Sequence, residues 1–135
     1  MNIANLNRIY HHIKGKVPAK KLNLSYFRLN EEDNKTMECN TVGCIIGNSI
    51  VLAPDLVTYN DNGDINFYTW SNNFLELNRC NSKDRKIWHF LFNCKWGWEG
   101  CTNSKAQALK RIKFVIDHKD TPNDWWEQQF DYKLK

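Results

Sequence analysis

Cys39-Asn40-Thr41-Val42-Gly43-Cys44-Ile45-Ile46-Gly47, running on through Asn48-Ser49-Ile50-Val51-Leu52-Ala53-Pro54, is the stretch whose reading decides the fold. Wound as a helix, Val42, Cys44, Ile45, Ile46, Ile50, Val51 and Leu52 cover nearly every face. A helix apolar on almost all sides is expected to be the central, buried one. Thr41 can cap it by offering its hydroxyl to the amide of Gly43 or Cys44. Gly43 and Gly47, four apart, share a face and would let another backbone come close. Pro54 disfavours helical geometry in the residue before it, so the helix should stop by Leu52 or Ala53.

Working outward toward the N-terminus, Ile3, Leu6, Ile9, Tyr10 and Ile13 recur at helical spacing with Asn5, Arg8 and His12 opposite. The pattern predicts an amphipathic helix ending near Gly15 and broken by Val17-Pro18. Residues 22–29 do not settle between periods of 2 and 3.6, and residues 31–35 read as a polar loop. On the other side, Val57-Thr58-Tyr59 and Ile65-Asn66-Phe67-Tyr68 flank an Asn62-Gly63 turn signal, which predicts a small β-hairpin near residues 57–68. Such a hairpin is marginal alone and should lie against the helices.

Phe74, Leu75 and Leu77 precede a break at residues 79–81. Ser82 is then the expected N-cap of a helix over 83–92 that turns Ile87, Trp88, Leu91 and Phe92 inward. After a loop at 93–102 carrying Trp96-Gly97-Trp98, Ser104 begins the clearest helix of the chain. Ala108, Leu109, Ile112, Val115 and Ile116 share its core face, with Lys110, Lys113 and Asp117 opposite. Thr121-Pro122 starts a last short helix carrying Trp125, Trp126 and Phe130. There is no repeat, linker or low-complexity stretch, so residues 1–135 are expected to form a single, mainly α (α+β) domain: helices around a central buried helix, with the small hairpin beside them.

Composition fits that reading. Apolar residues make up 41% and aromatic residues 13%, with six Trp, which argues against a disordered chain. A chain of 135 residues can bury about two thirds of its unfolded surface without disulfide or metal. The longest apolar run, residues 44–54, is too short to span a bilayer, and residues 1–10 lack a signal-peptide layout. The expected location is therefore the cytoplasm, with the five cysteines reduced. The net charge of +4 and a pI near 8.8 are mildly basic, with cations spread along the chain and no dedicated nucleic-acid arm.

The order of motifs resembles that of small uncharacterised bacteriophage and bacterial proteins with a Cys-x-Thr-x-x-Cys-Ile-x-Gly segment. The matching residues are Cys39 to Gly47, then Ser82 to Leu91-Phe92, then Ala108-Leu109-Lys110-Arg111-Ile112, spanning roughly residues 36 to 117. Asn40 stands where those proteins usually carry Gly, and Ser49 where they usually carry Ala. The resemblance implies a phage or mobile-element origin and a shared fold, and it supplies no reaction.

Cys39, Cys44, Cys94 and Cys101, with His89 as a substitute, could in principle supply four tetrahedral zinc ligands. Their spacings contain no Cys-x-x-Cys knuckle, and buried thiols packing as small hydrophobes are the favoured reading. Cys39 lies ahead of a helix start, as a nucleophile would, with His11, His12, His89 and His118 as candidate bases. No phosphate loop, paired-carboxylate frame or His-x-x-x-His is present. The reading therefore leans away from catalysis and assigns no cofactor.

The tryptophans are the more informative feature. An indole buries a large area yet carries an N–H that needs a partner, which suits cores and binding hot spots alike. Most should pack. Lys95, Trp96 and Trp98 in a glycine-flanked loop, with Trp125 and Trp126, form the expected contact surface. The function expected from these residues and the resemblance is that of a phage-type accessory protein that binds a host macromolecule, with a host protein as the expected partner in the host cytoplasm, and inhibits a host defence. The alternatives are a binder of a small ligand, nucleotide or nucleic acid, and a zinc- or cysteine-dependent enzyme. No membrane association is expected.

Overall fold

Asn2 starts the first helix: its side-chain oxygen accepts the Asn5 amide at 2.9 Å, satisfying one of the orphan donors of the first turn. The computed structural model describes residues 1–21, 45–78, 80–92 and 105–121. Helix α1 spans Ile3–Lys16 and buries Leu6, Ile9 and Ile13, with Lys14 and Lys16 in its last turn. Basic residues there suit the negative end of the helix dipole. Val17 adopts extended geometry and ends the helix, as its place before Pro18 dictates.

Helix α2, Ile45–Ser49, continues as a 3₁₀ turn over Ile50–Leu52. Ala53 leaves helical geometry ahead of Pro54, which opens a second 3₁₀ turn, Pro54–Leu56. The expected stop thus lies where the sequence placed it. α2 touches α1, α3 and α4, while α1 touches α2, α3 and α5, so the packing does not single α2 out as the central helix. Ile45, Ile46 and Ile50 are fully buried, each such side chain contributing about 1.5–3 kcal/mol relative to exposure. The burial is more one-sided than an all-round apolar helix implies, because Val51 remains 43% exposed. Ser49 is buried as well and gives its hydroxyl to the Ile45 carbonyl one turn back.

The β-hairpin expected near residues 57–68 does not form. In its place a single antiparallel bridge joins Tyr59 and Ile65 across a turn in which Gly63 takes a positive φ of 90°. The Asn62 side chain accepts the Asp64 amide at 3.1 Å, and Ile65 drops into the core. What ends the extended stretch is Asn66. Its side chain accepts the Thr69 amide at 2.9 Å and caps α3, Phe67–Leu75. Phe67 and Tyr68 have strong β propensity, but the cap and the burial of Trp70, Phe74 and Leu75 outweigh it, as tertiary context commonly does. Trp70, stacked on Phe74 at 4.7 Å, donates its indole N–H to the Ala53 carbonyl at 3.0 Å. This ties α3 to the segment that follows α2.

Helix α4 spans Ser82–Phe92. Its cap is Asn81 and not Ser82: the Asn81 side chain accepts the Asp84 amide at 3.2 Å, while its carbonyl accepts that of Arg85 at 3.1 Å. Helix α5, Lys105–Asp117, packs on α1 and α4. Lys83, at the start of α4, donates to the carbonyls of Lys119 and Thr121 just beyond α5, and Phe90 meets Phe114 at 5.2 Å, so α4 and α5 run antiparallel. Ala108, Ile112 and Val115 are buried as expected, and Lys113 and Asp117 pair at 3.5 Å. Arg111 is buried on the same face, between Ala108 and Val115 in the helical row.

α1 and α3 are joined end to end. The last carbonyls of α3 have no intrahelical donors. The amide of Asn2 donates to Leu75 at 2.6 Å, and the Asn5 side chain donates to Phe74 at 2.7 Å. Buried residues from all five helices form one hydrophobic cluster. Among the described residues no helix is long and apolar enough to cross a membrane. The Thr41 cap, Gly43, segments 22–29, 31–35 and 93–102, and the helix expected after Thr121 lie outside the described residues.

Candidate functional site

Tyr68 and Asn72, one turn apart on α3, face Asp84, Arg85, Trp88 and His89 on α4, and with Leu77 and Asn78 between the helices they line a cavity of about 140 Å³. Its aromatic wall is the ring pair Tyr68 and Trp88, stacked at 4.0 Å and 11°. Trp88 is held from two further sides, by Phe92 at 5.4 Å and by a hydrogen bond from its Nε1 to the Ser71 hydroxyl at 2.6 Å. The hydroxyl in turn donates to the Tyr68 carbonyl at 3.0 Å. The wall is therefore rigid, while Tyr68 keeps 40% of its surface exposed.

The polar rim is arranged by the α3–α4 connection. Asp84 accepts the Asn78 amide at 2.8 Å, and the Asn78 side chain accepts the Cys80 amide at 3.0 Å. These bonds fix Asp84 in the first turn of α4, where the helix dipole favours a carboxylate. Arg85 is exposed beside it. Burial pushes the His89 imidazole below its ordinary value, and the charge of Arg85 pushes it further the same way. The rim thus offers a carboxylate, a guanidinium, an imidazole biased toward neutrality and two carboxamides. Such a set can stack on a flat group and hydrogen-bond its donors and acceptors.

The chain matches no family model, and no curated protein or solved structure is significantly similar to it. The site therefore stands on its own geometry.

Lys95, Trp96, Trp98, Trp125 and Trp126, the expected contact surface, and Cys39, Cys44, Cys94 and Cys101, the zinc candidates, all lie outside the described residues. Among the described residues no group of three metal-ligating side chains occurs, and Cys80 is exposed at the α3–α4 connection. The histidines proposed as bases occupy separate elements. His11 and His12 are on α1, and His12 bonds the Asn48 carbonyl at 3.0 Å. His89 lines the α4 cavity. His118, past α5, is stacked on Phe114 at 4.1 Å and donates to its carbonyl at 2.7 Å.

Tyr68 and Asn72 do not stand out as site residues in the sequence because residues 65–68 read as a strand, and Asp84 and Arg85 lie on the expected α4 helix with no pattern that marks them. A signal was present. Asn66 three residues before Thr69 is an N-cap pattern, and a helix begun there places Tyr68 and Asn72 one turn apart on the face that meets Arg85 and His89.

Proposed function

We propose that this chain is a non-catalytic, phage-type binding protein that engages a host macromolecule by admitting one flat group of the partner into the α3–α4 cavity, and that it inhibits a host process by doing so. The size of the cavity is the observation that carries this reading. Sites that enclose a whole small molecule occupy about 300–1,000 Å³, whereas a cavity of about 150 Å³ accommodates a single benzene ring. At about 140 Å³ this one suits an anchoring side chain or base belonging to something larger. Buried aromatic pockets with a charged rim are the usual form of an interface hot spot. Lys95, Trp96, Trp98, Trp125 and Trp126 are proposed as the remainder of the contact surface, on their residue types alone.

Affinity capture from a bacterial host lysate tests the reading. The wild-type chain should retain a partner in near-stoichiometric amount, and Tyr68→Ala, Arg85→Ala and Trp96→Ala should each lose it while Lys113→Ala keeps it. Capture that ignores all three substitutions removes the assignment.

The mixed polar and apolar lining also favours a second reading, a site for a free planar ligand such as a nucleobase or nucleotide. A ligand at a hundred times its Kd stabilises the folded chain by about 2.7 kcal/mol. A clear rise in melting temperature with one member of a nucleotide panel, abolished by Tyr68→Ala, would select this reading over the first.

A further inference from the structure

Residues 1–21 contain Arg8, Lys14, Lys16, Lys20 and Lys21 and no carboxylate, which leaves 14 basic against 15 acidic residues in the rest of the chain. The positive charge that looked dispersed is thus held by α1 and the turn after it. Folding brings two of these cations, Arg8 and Lys16, to one groove. Leu6, Ile9 and Ile13 take the inner side, and Asn7, Arg8, His11, His12 and Lys16 line one shallow, open groove of about 360 Å³ floored by Ala4 and Leu52. Lys14 projects from the same exposed arc, its ammonium 5.9 Å from the Tyr10 ring centroid.

Arg8 is fixed in place. It donates to the Leu52 carbonyl and to the Asn5 side chain, each at 3.2 Å, and lies over the Phe74 ring at 5.3 Å. Two of its five donors are used, so the others remain for a ligand. The ion pair recorded among the described residues joins Lys113 and Asp117, and Arg8, Lys14, Lys16 and Lys20 take no part in it.

We infer that the outer face of α1 is a binding site for the phosphate backbone of a nucleic acid. Asn7, Arg8, His11 and Lys16 can each donate a hydrogen bond to a phosphate oxygen, and among the described residues no carboxylate lines the groove. Arg8, His12 and Lys16 follow one another at four-residue spacing, about 6 Å per step along the axis. Arg8 and Lys16, with His12 between them held on the Asn48 carbonyl, therefore present cationic donors two steps apart along a strand of regularly spaced charges. An acidic protein surface is the rival partner, and the groove lining is more apolar than polar; what favours a nucleic acid is the run of cationic side chains with no carboxylate among the described lining residues. The inference does not depend on the α3–α4 cavity, and its failure leaves that proposal standing.

Fluorescence anisotropy with a mixed-sequence 20-base-pair DNA duplex tests it on the full chain. If Arg8, Lys14, Lys16 and Lys20 each neutralise one phosphate, affinity should fall about 100-fold between 50 and 200 mM salt. The variant Lys14→Gln/Lys16→Gln/Lys20→Gln changes exposed side chains only, and it should stay folded with the melting temperature lowered only by the lost helix-end charges. It should bind at least tenfold more weakly at 50 mM salt and show a fall of only about threefold over the same salt range. Tyr68→Ala should bind as wild type does. The inference is overturned by the absence of binding at 100 μM protein in 50 mM salt, by unchanged affinity in the triple variant, by equal weakening in Tyr68→Ala, or by equal or tighter binding of labelled polyglutamate.

Discussion

Trp88 and Ser71 are joined by a buried hydrogen bond, indole Nε1 to hydroxyl at 2.6 Å, across the contact between α4 and α3. Ser71 donates its own O–H to the Tyr68 backbone carbonyl, so one hydroxyl ties the Trp88 indole to the α3 backbone that carries Tyr68. Ser71→Ala removes that acceptor from a buried indole N–H, and a loss of about 1–3 kcal/mol is expected. Urea denaturation followed by tryptophan fluorescence measures it. An unchanged midpoint would show that the bond does not hold the wall.

The two faces of the segment after Cys44 should respond differently to truncation. Ile46→Ala, at a fully buried position, should cost about 2–5 kcal/mol. Val51→Ala, at a 43% exposed position, should stay within about 0.5 kcal/mol. Equal losses at the two sites would contradict the one-sided burial of α2 and its 3₁₀ extension.

Glu76 ends α3 in the left-handed region, with φ 53°, and both its amide and that of Leu77 return to the Asn72 carbonyl. The left-handed conformation costs a residue with a Cβ about 1–2 kcal/mol, and glycine is the usual occupant. Glu76→Gly should therefore stabilise the chain by roughly 0.5–1 kcal/mol, read as a higher melting temperature. Destabilisation would mean that the Glu76 side chain makes a contribution larger than the strain.

Mild acid should weaken the fold. Burial lowers the His12 imidazole below its ordinary value; the bond to the Asn48 carbonyl opposes this shift, and the charge of Lys16 adds to it. His89 is lowered by burial and by Arg85. The unfolded chain takes up these protons as the pH falls through about 6.5, while the folded chain still resists them. Stability is thus fully present above that pH and declines as pH falls from there through the lower folded values. The urea midpoint should drop between pH 7.5 and 5, and His12→Gln/His89→Gln should flatten the decline. A midpoint that rises on acidification would contradict the assigned direction.

Legibility differed from element to element for physical reasons. α1, α4 and α5 are amphipathic, so the spacing of Leu6, Ile9 and Ile13 or of Ala108, Ile112 and Val115 announces both the helix and its buried face. The start of α3 was misread because Phe67 and Tyr68 favour strands, and only the Asn66 cap and the burial of Trp70 and Phe74 select the helix. Arg111 was missed as a core residue because a charged side chain is expected outside, although its row with Ala108 and Val115 marks the position. Of the proposed cavity, His89 alone stands out in the sequence as a candidate, because the meeting of α3 and α4 depends on tertiary packing.

The sequence by itself determined that residues 45–52 wind against the other helices and stop before Pro54, because local sterics and hydrophobic spacing act over a few residues. Only the tertiary structure decided that Tyr68 stacks on Trp88 beside Arg85 and His89, and that Arg8, His11, His12 and Lys16 share an open groove over Leu52. Those arrangements depend on how separate helices dock, and docking is set by side chains far apart in the chain.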